Sequence, residues 1–436
     1  MADDIQIEQV NQHYLDKVMD LAEELDVEAS EDIFDARGMK LIAKGAKISS
    51  AQQEKLIMHK LRKPLEACII VHGGVNANMV QLEAQRIAQE IEAVACILKA
   101  TPTLGAAPLD VIQGLELGSA MSLMLTIMER GGQAAFEHAV MVSLMSVCFA
   151  KKLGLTEQNQ AVAGLAGLLH DIGELYIAPE YLLPGRRLLP HEWRHVIVHP
   201  RIGQMLIDQI ERYPPAVGVA VSEHHERYDG GGYPRQAAGR QISAPGLAVS
   251  AAEMIAAVYV KSDHPLERAE LALKIIPGEH EHLLVAAVSQ ALHLPHAADA
   301  APGLPSAPAT ARLHRLLDRI GAATRHCQHL LALPTITSAK AKKLLSRAEQ
   351  RIETIERAFS SVGLDVCATS EKPLLAVDAH EADTALVFEA SAAAQELEWR
   401  LCDAARDIAL HSVELDPHEA QAFESLIALL DEQRAA

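Results

Sequence analysis

The chain is poor in aromatic side chains, which make up only 3% of its 436 residues. Hydrophobic residues still account for 49% of the chain, so its buried cores must consist mostly of Leu, Ile, Val and Ala. This composition, with many glutamates and few strand-like runs, favours helices. At roughly 150 residues per domain, the length predicts about three domains.

Positive charge is scarce as well. The chain has 39 basic and 58 acidic residues, which gives a formal net charge of −19. Proteins that bind nucleic-acid polymers or anionic membranes over broad surfaces need a basic footprint, so we expect neither partner. A small anionic substrate is compatible with this charge, because bound metal ions can reverse the sign inside one pocket.

Long apolar runs and closely paired cysteines are also missing. The start, MADDIQIEQV, shows neither the basic nor the apolar region of a secretion signal. Of the two most apolar segments, LGSAMSLMLTIM is too short to span a bilayer, and GLAVSAAEMIAAVYV carries Glu253 in its middle. The six cysteines include no CxxC pair, which is typical of reduced thiols. We therefore expect a cytoplasmic protein without a membrane-spanning segment.

Turn and linker sequences divide the chain into five predicted parts. In the first part, two short strands are expected to turn at Arg37-Gly38, and a helix capped by Ser49 or Ser50 follows. The predicted fold class is mainly α. The parts are a small mixed α/β domain of regulatory type (1–75), a connector helix (76–106), an all-helical core (107–293), a Pro/Ala-rich linker (294–311) and a helical C-terminal module (312–436).

Histidines and carboxylates are concentrated at the turns of the region 107–293. A lone histidine at a helix end is usually an ordinary surface or core residue, and we assign His191 and His195 to that class. Glu253 taken alone would be a salt-bridge partner, since a carboxylate inside an apolar helix is costly without one. The joint pattern of these residues is much less likely to arise by chance. Together, imidazole and carboxylate groups suit Fe, Mn or Zn. The candidate metal ligands are His138, His170, Asp171, His199, His224, His225 and Glu253.

A glycine-rich loop follows the adjacent histidines in the string HHERYDGGGYP, residues 224–234. Glycines let backbone amides approach an anionic or aromatic ligand closely, and a tyrosine ring lies beside them in the sequence. Asp229 is expected either to brace a metal ligand or to hold the loop. The predicted substrate-binding residues of the loop are Gly231, Gly232, Tyr233 and Pro234.

These motifs resemble the HD-GYP domain, a bacterial branch of the HD phosphohydrolases. The resemblance rests on HDIG at 170–173, HP at 199–200 and a loop that matches HHExxDGxGYP at every defined position. It implies an all-helical HD-type core over roughly 107–290. It also implies hydrolysis of cyclic di-GMP to linear pGpG, GMP or both, with two or three iron or manganese ions. The segment GMKLIAKGAKIS is similar to a small domain often found ahead of HD-GYP domains.

The resemblance also implies roles for individual residues. The candidate ligands would bind the metals, and His170 and Asp171 would form the catalytic centre. Asp171 would bridge two metals, with the water between them as the nucleophile. Glu253 is the last ligand of the set, at the position of a family aspartate.

Three positions depart from the family pattern. The family usually has HDIGK, whose lysine can reach the substrate phosphate, whereas this chain has Glu174. Arg186 or Arg187 is the candidate replacement, and Arg187 is the predicted substrate ligand. Glu253 is one methylene longer than the family's aspartate, and Ala256 stands where a second aspartate is usual.

Three functions are compatible with these motifs. A metal-dependent cyclic di-GMP phosphodiesterase is favoured by the complete set of histidines. A catalytically degenerate module, which binds the dinucleotide or a protein without turnover, is favoured by Glu174, Glu253 and Ala256. A hydrolase of another phosphorylated nucleotide is the third. The end domains are expected to pack within the chain, to form a homodimer or to bind a signalling protein.

Overall fold

The computed structural model describes residues 10–183, 185–210, 212–260, 265–292, 307–361 and 382–431. These residues are mainly helical, which confirms the predicted fold class. They form two compact units. The first consists of Met1–Arg186, His195–Glu270 and Gly278–His293, and the second of Arg187–Arg194, Leu271–Pro277 and Leu294–Ala436.

The N-terminal region is a small mixed α/β structure, as predicted. Strand β1 pairs with β4 and strand β2 with β3, both antiparallel. The β2–β3 turn contains Gly38 at φ +86°, a conformation that favours glycine. Ser49 and Gln52 form a capping box at α2. The elements are α1 (Gln12–Glu24), β1 (Val27–Ala29), β2 (Ile33–Phe34), β3 (Lys40–Ile42), α2 (Ser50–Met58) and β4 (Ile69–Val71).

The predicted connector helix is interrupted. It consists of α3 (Ala77–Glu90) and α4 (Glu92–Ala100), which are separated by Ile91 in an extended conformation (φ −98°, ψ 105°). The Ile91 side chain is buried, so the break lets an apolar residue pack in the core. Apolar spacing continues through Ile91, and spacing alone therefore could not reveal this break.

Most of the described helices of the first unit lie in the predicted core 107–293, which carries the candidate metal ligands. Helix α7 is apolar on nearly all sides and packs against α8 and α11. Its residues 134–152 are long and apolar enough to cross a membrane, but 78% of the most apolar window is buried inside the protein, as in a core helix. The helices are α5 (Pro108–Gln113), α6 (Ser119–Gly131), α7 (Gln133–Lys152), α8 (Glu157–Leu169), α9 (His199–Ile210), α10 (Pro215–Ser222), α11 (Ala244–Val260) and, after α12 (Pro265–Lys274), α13 (His282–Leu292).

The described part of the second unit contains four long helices around an apolar core. Residues 293–306, which include most of the predicted linker 294–311, lie outside the described residues, and a helix begins at Ala307. Arg351 pairs with Asp403 at 2.7 Å, and Arg347 with Asp407 at 3.3 Å. These ion pairs join the second and third of the helices, which are α14 (Ala307–Ala332), α15 (Ala339–Ser361), α16 (Ala382–Ser412) and α17 (Pro417–Leu430).

Glu419, in the first turn of α17, holds the start of α15. Its carboxylate accepts hydrogen bonds from the Ser338 hydroxyl (2.6 Å) and from the amides of Ser338 (2.7 Å) and Thr337 (2.9 Å). These bonds, the Ser338 hydroxyl first, lower the pKa of Glu419 from 4.5 to about 2. The stability from this contact is therefore present above pH 4.5 and is lost as the pH falls toward 2.

We predict that Glu419→Gln lowers the melting temperature by a few degrees at pH 7 and by clearly less at pH 3, where the parent carboxylate begins to protonate. Thermal unfolding followed by circular dichroism at both pH values measures this difference. Glu424→Gln, at an exposed position of the same helix, is the matched control and should change neither value. Equal melting temperatures of the parent and Glu419→Gln at pH 7 would contradict the assignment.

Candidate metal centre

The structure brings the seven predicted ligands together from separate helices. One histidine projects from the buried helix α7, and the His-Asp pair follows the last turn of α8. The first residue of α9 and the two residues that follow Glu223, the C-cap of α10, supply three more histidines. Helix α11 supplies the glutamate. In this order the residues are His138, His170 and Asp171, His199, His224 and His225, and Glu253.

Asp171 is shared between two groups of ligands. Its Oδ2 atom lies 2.9 Å from His170 Nε2 and 3.8 Å from His138 Nε2. Its Oδ1 atom lies 3.4 Å from His199 Nε2 and 3.6 Å from His224 Nε2. The first group is His138, His170 and Asp171, and the second is Asp171, His199, His224 and His225. Within each group, the ligand atoms all lie within 4.8 Å of one another. One carboxylate therefore faces two candidate metal positions.

Glu253 lies beside two histidines of the first of these groups. Its Oε2 atom lies 2.9 Å from His138 Nε2 and 3.3 Å from His170 Nε2, so the longer side chain reaches the cluster. Glu253 Oε2 and His170 Nε2 are buried and have close polar neighbours. Among the described residues, however, neither atom makes a hydrogen bond of acceptable geometry. Buried polar atoms without such bonds fit a site that is completed by a cation.

Three imidazoles are oriented by the main chain. The Nδ1 atoms of His170, His199 and His224 lie 2.8, 2.8 and 2.6 Å from the carbonyl oxygens three residues earlier. An Nδ1–H that donates to a carbonyl leaves the Nε2 lone pair for another partner, which is how metal-binding histidines are commonly held. The Nε2 atoms of His199 and His224 lie 3.0 Å apart. Two lone pairs at this distance require a proton or a cation between them.

The electrostatics of the cluster favour cations. Burial disfavours the protonation of His170 and His199, but the Asp171 carboxylate outweighs burial and raises the pKa of both. Burial, with His170 and His199 nearby, lowers the pKa of His224 to about 3. Protons therefore collect around Asp171 when no metal is bound. Divalent cations would replace those protons, so these residues fit a metal centre.

The glycine loop folds back onto the second group of ligands. The amide of Tyr233 donates to the carbonyl of His225 at 3.1 Å, and the ring centroids of the two residues are 4.6 Å apart. A Cβ atom on Gly232 would lie 2.4 Å from the His225 oxygen, so only glycine fits there. The Asp229 carboxylate accepts from the amide of Gly231 at 2.7 Å and thus holds the loop, one of its two expected roles. Pro234 follows Tyr233 through a cis peptide bond.

Two buried glutamates, to which the sequence motifs gave no role, also hold this loop. Glu226 accepts from the amides of Arg235 (2.7 Å) and Ala237 (2.9 Å). Glu223 binds the Arg235 guanidinium and the Ser243 hydroxyl, each at 2.6 Å. The string HHE contains Glu226, so a signal for one of them was present. Glu223 carries no such signal, because its partners are 12 and 20 residues away.

Two predicted determinants of phosphate binding have different surroundings. Burial and the nearby Asp171 carboxylate raise the pKa of Glu174 to about 7. The guanidinium of Arg187 binds the Asp431 carboxylate at 2.6 Å in the second unit. Arg186 lies over the Tyr181 ring, 5.3 Å from its centroid. The role of Arg187 at the substrate phosphate stays a prediction.

Comparison with known proteins supports the motif assignment. The chain is 33% identical over 129 residues to the cyclic di-GMP phosphodiesterase response regulator RpfG of Xanthomonas campestris. The matched residues are 29% of this chain and 34% of that protein. It is 36% identical over 122 residues to the cyclic di-GMP phosphodiesterase PA4108 of Pseudomonas aeruginosa (28% and 29%). It is 30% identical over 143 residues to 3'3'-cGAMP-specific phosphodiesterase 1 of Vibrio cholerae (33% and 33%). The chain spans about a third of the length of these curated relatives.

The family comparison covers the site itself. Residues 123–262 match the HD domain family. This range contains HDIG at 170–173 and HHERYDGGGYP at 224–234, and the structure places both motifs around Asp171. This part of the chain is therefore similar to the HD domain family, and it carries the strings on which the resemblance to HD-GYP domains rests.

Proposed function

We propose that the protein is a metal-dependent phosphodiesterase that hydrolyses cyclic di-GMP to linear pGpG, GMP or both. The observation that carries this proposal is the position of Asp171, whose two oxygens face two sets of histidines. The similar proteins include cyclic di-GMP and 3'3'-cGAMP phosphodiesterases, which supports the same class of substrate.

The ligand set favours two or three Fe or Mn ions. His138, His170 and Glu253 would hold one ion and the histidines of the second group another, with Asp171 between them. Mixed imidazole and carboxylate ligands suit these metals better than Mg. When bound, such ions supply a hydroxide at neutral pH and neutralise charge on a phosphodiester.

The chain's own residues orient the ligands and shape the pocket. The carbonyls that accept from Nδ1 of three histidines fix the ring directions before a metal arrives. The amides of Gly231 and Tyr233 already donate within the protein, and Pro234 has no N–H, so the loop would present the Gly232 amide and the Tyr233 ring to the substrate. Glu174 opposes an anionic substrate when it is ionised, so this residue reduces affinity for the phosphate. We place the protein in the cytoplasm.

A second candidate function is binding of the dinucleotide without turnover. The observation that favours it is Glu174, a half-buried carboxylate beside Asp171 where a substrate phosphate would have to approach. In such a protein the metal centre would still form, and the signal would pass to a protein partner.

We predict that Asp171→Ala removes nearly all bound metal, because both groups lose a shared ligand. His225→Ala should remove only the metal of the second group and leave about half of the total in a two-metal centre. Elemental analysis of protein reconstituted anaerobically with Fe(II) or Mn(II) measures both ratios. His191→Ala is the matched control, since His191 is exposed and is not part of the cluster. Full metal content in Asp171→Ala would contradict the shared-ligand arrangement.

The central test of the function is hydrolysis of cyclic di-GMP by the reconstituted protein, followed by chromatography of the products. We expect turnover that depends on the metal and is lost in His170→Ala and Asp171→Ala, but kept in His191→Ala. Turnover that survives both ligand variants would place the reaction elsewhere. A protein that binds metal and dinucleotide without any turnover would instead favour the second candidate function.

Glu174→Lys is predicted to raise kcat/KM by about tenfold or more, because a charge-assisted contact to phosphate contributes about 1.5–3 kcal/mol. Glu174→Gln should give a smaller gain, since it removes the negative charge without adding a positive one. Steady-state hydrolysis at pH 8, above the pKa of about 7, compares the two variants with the parent. No gain in either variant of an active enzyme would mean that the phosphate binds away from Glu174.

A further inference from the structure

The turn that follows Asp171 is a short helical segment, Ile172–Tyr176, that packs tightly against another ligand. A Cβ atom on Gly173 would lie 2.1 Å from the carbonyl oxygen of His199. The amide of Glu174 donates to the carbonyl of Asp171 at 2.9 Å. A displacement of this turn would therefore move both Asp171 and His199, which belong to the second group of candidate ligands.

The N-terminal helix α1 caps the end of this turn. The Lys17 ammonium donates to the carbonyl of Leu175 at 3.0 Å, and the Asn11 amide donates to the carbonyl of Tyr176 at 3.3 Å. Carbonyls at the end of a short helix lack internal partners, and side-chain donors commonly satisfy them. Here the donors come from 158 and 165 residues earlier in the chain.

Tyr176 receives two further contacts from the N-terminal region. Its ring stacks on Tyr14, with centroids 5.0 Å apart and planes 8° from parallel. Its hydroxyl donates to the carboxylate of Glu66, which is 3% exposed. Four side chains of residues 10–72 thus converge on two residues of the turn. Partners that hydrogen-bond to metal ligands change metal affinity by about 10–100-fold when they are mutated, and these four contacts hold the turn that bears Asp171 from one step further out.

We propose that α1 and Glu66 are a positioning platform for the metal centre, and that Tyr176 is the positioning residue through which they act. The platform keeps the turn 172–176, and with it Asp171, in the place where both oxygens meet their histidines. This inference rests on the proposed metal centre. It gives the N-terminal domain a defined task, since any partner that shifts α1 would change the affinity of the centre for metal.

Three conservative variants separate this role from the stability of α1. Asn11→Asp keeps an oxygen for the cap of α1, where Asn11 accepts from the amide of Tyr14 at 3.0 Å, but it removes the donor to Tyr176. Lys17→Met keeps the aliphatic stem and removes the ammonium. Tyr176→Phe keeps the ring stack and removes the bond to Glu66. Lys47→Met is the control, because Lys47 pairs with Asp26 on the surface of the same region.

The test is titration of the full-length protein with Mn(II), followed by electron paramagnetic resonance without substrate. The triple variant should bind Mn(II) about tenfold more weakly or worse, each single variant should show part of that loss, and Lys47→Met should stay within about twofold of the parent. Hydrogen exchange should become faster in peptides that cover 171–177 and stay unchanged in α10. This readout does not depend on hydrolysis, so an inactive parent that binds Mn(II) still tests the platform.

Two results would overturn the proposal. One is an Mn(II) affinity of the folded triple variant that stays within about twofold of the parent. Loss of contacts that support metal ligands usually lowers the affinity by about 10–100-fold. The other is an equal loss of affinity in Lys47→Met, which would indicate general destabilisation. If the triple variant fails to fold, Tyr176→Phe and Asn11→Asp decide the question individually. Unchanged affinity and exchange in both would exclude the role.

Discussion

The shared carboxylate of Asp171 is the contact around which the site is arranged. Each of its oxygens meets histidine Nε2 atoms at 2.9–3.8 Å, and those atoms come from helices far apart in the sequence. Their lone pairs point at one another because backbone carbonyls hold the Nδ1 sides of three rings. Such a convergence is unfavourable without positive charge at its centre. The protein therefore brings together lone pairs and a carboxylate whose repulsion bound protons reduce in part. Divalent cations would reduce it further.

The rest of the first unit keeps this cluster in place. Helix α7 is buried on nearly all sides, so His138 projects from a rigid support. The loop after His225 returns to its carbonyl and is held there by Glu226. The N-terminal helix caps the turn 172–176, which follows the His-Asp pair directly in the chain. Rigid supports of this kind determine whether ligands are preorganised or must be collected by the metal.

Much of the fold and of the site could be predicted from the sequence, because the signals are local. Helical spacing, the turn at Gly38 and the cap at Ser49 depend on neighbouring residues, and the ligand motifs are short strings at helix ends. Contacts over long sequence separations left no such signal. The ion pair of Arg187 with Asp431 spans 244 residues, and the contacts of α1 with the turn after Asp171 span about 160. The break at Ile91 was hidden for another reason, since apolar spacing continues through it.

The most direct test of the shared-carboxylate centre is a crystal structure of the Mn(II)-reconstituted protein, with anomalous data collected at the manganese absorption edge. The arrangement predicts at least two anomalous peaks, one on each side of Asp171. The first should lie next to His138, His170 and Glu253, and the second next to His199, His224 and His225. A single peak that one oxygen of Asp171 contacts, or manganese bound away from this carboxylate, would contradict the account.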